Sequence, residues 1–183
     1  VEVEKVRREF DVRLQWESFY LRPDTPAEGA PLPAAIRARA ADPNNPLKKR
    51  AAQMGLTMMD HEIIPSTRRA HQAAKWARSL GKLDAMQAEL LRHYWTLGED
   101  IGRWPALRSA AQDAGLDPDV MQEAVESGAF QSEVDADIAE ARKLGIHAVP
   151  TFVVGERHAV QGAQPADVFR QLLRQLGAVT RSG

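Results

Sequence analysis

At 183 residues, 44% hydrophobic and 27% charged, the chain can bury one substantial core, or one core domain carrying an inserted subdomain. Its formal net charge of −1, with both signs interspersed, gives no global basic face for nucleic acid or acidic lipid, and neither a nucleic-acid nor a membrane partner is expected. It contains no cysteine, which excludes disulfides, thiolate metal sites and cysteine catalysis within these residues; it also has no apolar run of about 18 residues and no signal-like start, so a cytoplasmic setting is expected.

Val1, Val3, Val6 and Phe10 interleave with charged residues at helical spacing, with no cap or turn before them, and read as the back half of a helix. Phe10, Val12, Leu14 and Trp16 then alternate with Asp11, Arg13, Gln15 and Glu17, the period-2 pattern of a strand with one buried face. Leu21 to Pro26, followed by Gly29, Pro31 and Pro33, reads as a loop leaving the sheet. From Leu47 to Leu144 the pattern is wholly helical. Leu47, Ala51 and Met54 share one face; Ala70, Ala73, Ala74, Ala77 and Leu80 form a small-residue stripe, with Ser66 or Thr67 as its cap. Met86, Leu90, Tyr94, Leu97 and Ile101 form a longer stripe, and Leu107, Ala110, Ala111 and Ala114 another. Asp117 and Pro118 supply a cap and a first-turn proline, and Ser132 opens a helix with Val134, Ile138, Ala141 and Leu144 on one face.

After Pro150 the helical period stops. Thr151 to Val154 is a β-branched and aromatic run, Gly155-Glu156-Arg157 is turn chemistry, and His158 to Val160 can return antiparallel beside it. Pro165 then opens a helix with Val168, Phe169, Leu172, Leu173 and Leu176 on its apolar face; Thr180 to Gly183 is expected to fray. A proline has no amide to give a ladder, so Pro150 belongs at a strand's first residue, where a cis peptide can expose backbone groups to another polypeptide. The five histidines show no His-Glu-x-x-His spacing, and Asp60-His61-Glu62 places neighbours on diverging faces, so no metal site is expected. Glu89 and His93, four apart, are expected to pair on a helix surface. His71 is either packed or part of a cleft wall. Tyr94, Trp95 and Trp104 are expected mainly in the core of the helical block.

The order helix, strand, helical block, proline-led hairpin, helix is that of a thioredoxin-like core with a large all-helical insertion, lacking the first strand and its nucleophile turn. Residues 1–41 and 145–179 would form the α/β core, 42–144 the insertion and 180–183 a frayed tail. Leu21-Arg22-Pro23-Asp24-Thr25-Pro26, Ile64 to His71, Ala114 to Asp117, Ala148 to Val154 and Val160 to Pro165 together resemble the DsbA-like oxidoreductases, and more closely the FrnE-like branch related to 2-hydroxychromene-2-carboxylate isomerases. The resemblance implies a thiol–disulfide oxidoreductase that acts on protein or peptide dithiols through a mixed disulfide, without a cofactor. Its Cys-Pro-Trp-Cys-like turn has no counterpart here. The cysteines are therefore expected upstream of Val1, no catalytic residue is assigned within the chain, and the 183 residues alone are expected to be inactive. By the same resemblance, Val149 would pair with the substrate backbone, cis Pro150 would shape the loop and Thr151 would tune the sulfur's surroundings. His147 adjoins the loop and is either a hydrogen-bond donor to the site or a solvated loop residue. The alternatives are a glutathione-dependent isomerase or transferase, in which Pro65-Ser66-Thr67 meets glutathione, and a cysteine-free peptide-binding relative. Oligomeric state is left open by the sequence.

Overall fold

The computed structural model describes residues 2–155 and 157–181; the readings made for Val1, for Glu156 in the hairpin turn and for Ser182 and Gly183 lie outside the described residues. The chain divides into two compact units, Val1–Leu21 with Ala139–Gly183, and Arg22–Ile138.

In the first unit, helix α1 (Glu2–Glu9) packs against α9 (Ala166–Gln175). Val6, Phe10, Ala166, Phe169 and Leu173 are buried together, with Phe152, Val154 and Val160 of the hairpin packed against them. Phe152 meets Phe169 edge to face at 4.9 Å between ring centres. Charge reinforces this contact. Arg170 donates from Nε and Nη2 to the two oxygens of Glu9 at 2.7 and 2.6 Å, a bidentate fork, and Glu2 accepts at 3.0 Å from the Ala166 amide at the α9 N-terminus.

The strand expected at Phe10–Trp16 does not form. Its burial pattern does: Val12, Leu14 and Trp16 are partly covered while Asp11, Arg13, Gln15 and Glu17 are exposed. Alternation reports which side chains turn inward, but a strand also needs a neighbouring backbone to pair with. The start of the segment pairs with the C-terminus: Phe10 bridges Thr180, the Asp11 amide donates to Val179 O at 2.8 Å, and the Arg181 amide donates to Glu9 O at 2.9 Å. Thr180 and Arg181 are thus tied down rather than frayed.

The second unit is predominantly helical. Helix α2 (Ala34–Ala41), with no buried residue, and α3 (Pro46–Gln53) precede α4 (Arg68–Ser79), α5 (Leu83–Leu91), α6 (Trp104–Asp113) and α7 (Pro118–Glu126); α8 (Gln131–Lys143) leads out of the unit. The expected alanine stripe of α4 is buried and packs with Met86, Leu90, Leu107, Ala110, Ala111, Met121 and Val125. Small residues let helices approach closely, which is why a stripe of alanines sits at the centre. The ends of the stripes depart from expectation, because Leu47, Leu80 and Leu144 are exposed at helix termini. Between α3 and α4 the chain is extended rather than helical, and β2 (Ile63–Ile64) there pairs antiparallel with β1 (Ala30–Pro31), which precedes α2.

A π-helical turn at Arg92–Thr96 breaks the long stripe after Leu90. The Leu97 amide bonds Arg92 O, five residues back, so one extra residue enters the turn and the facing rotates. His93 therefore takes the buried position in place of Tyr94, and Leu97 is exposed. α8 buries Val134, Ile138 and Ala141 and carries Asp137, whose Oδ2 lies 2.5 Å from Nζ of the buried Lys75 on α4.

Candidate functional site

The α8 helix ends in a left-handed Gly145 (φ 67°), whose amide bonds Arg142 O while the Ile146 amide bonds Ala141 O. These paired bonds close the helix and turn the chain into residues 146–150. The Val149–Pro150 peptide is cis. Pro150 immediately precedes strand β3 (Thr151–Val154), which pairs antiparallel with β4 (His158–Gln161) from Thr151↔Gln161 to Val154↔His158. The ladder is extended by one bond in which the Gly162 amide donates to Pro150 O at 2.8 Å. It stops there. Among the described residues neither the amide nor the carbonyl of Val149 has a hydrogen-bond partner, and the residue is 48% exposed. Thr151 Oγ1 donates to Ala148 O at 2.7 Å, tying its hydroxyl across the loop. His147 is exposed. The proline loop thus presents one open backbone unit beside an occupied side-chain hydroxyl.

In the second unit, Pro65 and Ser66 are buried immediately before α4. A Cβ placed on Gly102 would lie 2.6 Å from Ser66 O, so only glycine permits this close approach. Thr67 is the N-cap residue of α4, yet its side chain makes no capping bond. Its φ of −88° and ψ of 8° lie outside the extended region from which a cap oxygen reaches the next turn's amides. Asp117, at −73° and 116°, does cap: its Oδ1 accepts from Asp119 and Val120 at 2.9 and 3.2 Å.

The Glu89–His93 pair is replaced by a larger cluster. His93 is 1% exposed, with Nδ1 2.6 Å from Glu99 Oε2 and Nε2 3.0 Å from Asp113 Oδ2. Glu89 instead accepts from Arg92 Nε at 2.6 Å, and the same guanidinium reaches Asp113. Glu89, His93 and Asp113 bring ligand atoms within 4.8 Å of one another, the one such group among the described residues. Arg92 already bonds both of its carboxylates, supplying the positive charge that a cation would bring. Sequence spacing missed this cluster because Asp113 belongs to another helix and the π-turn moves His93 inward. Among the aromatic residues, His61 stacks on Tyr94 at 4.0 Å and 9°, Trp95 stands edge-on to Tyr94 at 4.7 Å, and Arg69 covers the Trp104 ring at 4.6 Å.

Residues 1–174 match the family model described as the DSBA-like thioredoxin domain. The chain belongs to this family. A probable DsbA oxidoreductase from Streptomyces coelicolor shares its structure at a TM-score of 0.74 with 30% identity, over 91% of this chain and 76% of that one. A candidate protein disulfide isomerase from Nitrosomonas europaea is similar in fold, with a TM-score of 0.73 and 18% identity over 95% of this chain and 87% of that one. The uncharacterised Bacillus subtilis protein YwbO is 23% identical over 175 residues, covering 89% of this chain and 82% of YwbO. This DsbA-family chain therefore has the mixed α/β thioredoxin fold of its relatives with a helical insertion, and it carries that fold without a cysteine.

Proposed function

We propose that the protein is a thiol–disulfide oxidoreductase for protein or peptide dithiols, of the FrnE-like branch and working in the cytoplasm, and that Val149–Thr151 is the edge on which the substrate backbone lies. The observation that carries this reading is the open Val149 peptide unit beside the β3–β4 ladder. At the end of a ladder a free amide can donate to, and a free carbonyl accept from, an extended peptide as one more strand would. Pro150, whose carbonyl is committed to Gly162, leaves Val149 as the unit available for such pairing.

In this reading the 183 residues bind and orient, and the reacting thiols come from outside them. A thiolate attacks one sulfur of a disulfide, the new S–S bond forms as the old one breaks, and the displaced thiolate leaves with the electron pair; a second thiol repeats the step and resolves the mixed disulfide. The Thr151 hydroxyl, held by Ala148, shapes the loop while the backbone beside it meets the substrate, and exposed His147 is a weaker candidate than that backbone. The burial of Ser66 against Gly102 favours this reading over glutathione binding at the Pro65-Ser66-Thr67 turn.

An N-methyl scan along a fluorescent extended peptide tests the docking edge without altering the protein. Methylating the one amide that meets Val149 should weaken binding about tenfold, the loss expected for one good hydrogen bond. A flat scan would show that the peptide, if it binds, does not use this edge.

A further inference from the structure

A cavity of about 320 Å³ opens in the helical unit between the β2 approach and the turn after the π-helix. Four carboxylates line it, Asp60, Glu62, Glu99 and Asp100, together with the stacked rings of His61 and Tyr94. Three of the acids have partners outside the cavity: Asp60 faces the Lys48 ammonium at 2.7 Å, Asp100 the Arg103 guanidinium at 3.4 Å, and Glu99 is hydrogen-bonded to the His93 ring at 2.6 Å. Glu62 has no partner for its carboxylate among the described residues. Burial lowers the pKa of His61 below the usual histidine value, with the Asp60 charge opposing, so the ring adds no charge near neutral pH. Its Nε2 is buried and has no hydrogen-bond partner, an unmade bond within the cavity wall. The unanswered charge of the cavity is therefore negative.

The size of that charge pattern selects the ligand. These carboxylates are not among the groups whose ligand atoms converge closely enough to share a metal ion. A volume of this size corresponds to roughly ten water molecules, room for a short alkyl chain with a planar head. Flat aromatic walls favour a delocalised cation, while spread carboxylates accept its several N–H groups.

We propose that this cavity binds an organic monocation, a guanidinium or primary ammonium group carried by a small amine or by a basic side chain of a peptide. The site stands on different residues from the Val149 edge, so its test is independent of thiol exchange. The whole chain is titrated by amide NMR at low salt with n-butylguanidine, with its neutral isostere n-butylurea, and with N-acetyl-arginine N-methylamide.

The expected result is saturable shifts confined to residues 60–65 and 94–100, with affinity on the order of 1 mM for a guanidinium and at least about tenfold weaker for the urea. Glu62→Gln should weaken the guanidinium several-fold, while Glu133→Gln on the exposed face of α8 should leave it unchanged. Tighter binding of the arginine amide identifies a peptide side chain as the source, and tighter binding of butylguanidine a free amine. Equal response to the urea, the absence of saturable shifts, or indifference to Glu62→Gln overturns the proposal.

Discussion

His61 lies flat on Tyr94 with a buried, unpartnered ring nitrogen, and burial holds its pKa below the ordinary value. The unfolded chain therefore binds a proton here at a higher pH than the folded one does. Stability from this residue is complete above about pH 6.5 and declines as the pH falls from there to the folded pKa. His61→Phe keeps the stacking and removes the titration, so the drop in Tm between neutral pH and pH 5.5 should be smaller in the variant than in the wild type; an equal drop would contradict this. Glu9 works from a different cause. Its bond to Arg170 holds its carboxyl below the usual range, so its contribution is present above that range and lost as the pH falls through the folded pKa. Glu9→Gln should lower Tm at pH 7 and match the wild type in strong acid, as paired thermal melts will show.

Among the elements, α4 and α8 are joined by an ion pair with little access to water, Lys75 with Asp137. Removing Lys75 takes from the Asp137 carboxylate the ammonium it faces: Lys75→Met should cost about 3–5 kcal/mol, while Lys75→Met with Asp137→Leu should recover part of the loss in urea unfolding. Asp117→Ala removes two amide bonds at the start of α7 and should cost about 1 kcal/mol by the same measurement. The alanine stripe of α4, the Asp117 cap and the β3–β4 hairpin were all legible in the sequence, because each depends on neighbours a few residues away. The strand expected at Phe10–Trp16 was half legible: its inward and outward faces are correct, but ladder pairing depends on backbone distant in the chain. The π-turn left no periodic signal of its own, since a single inserted residue only shifts the stripe. Spacing alone therefore puts His93 on the surface, and its partner Asp113, on another helix, lies beyond the reach of spacing. Short β1 and β2 and the exposed helix α2 carry too little apolar pattern to announce themselves.

For the whole molecule, the order of elements and the proline segment pointed to the family that the comparisons establish. What made Val149 the candidate docking unit was less legible, because an unpaired peptide is a property of the finished ladder and not of its residue type. The same chain joins a family of oxidoreductases without holding a thiol of its own. Reduction of insulin disulfides, followed for the protein expressed from its complete gene and for residues 1–183 alone, tests thiol exchange most directly. Turnover by the former and none by the latter is expected; inactivity of both, or activity of the cysteine-free chain, would overturn the assignment of thiol exchange.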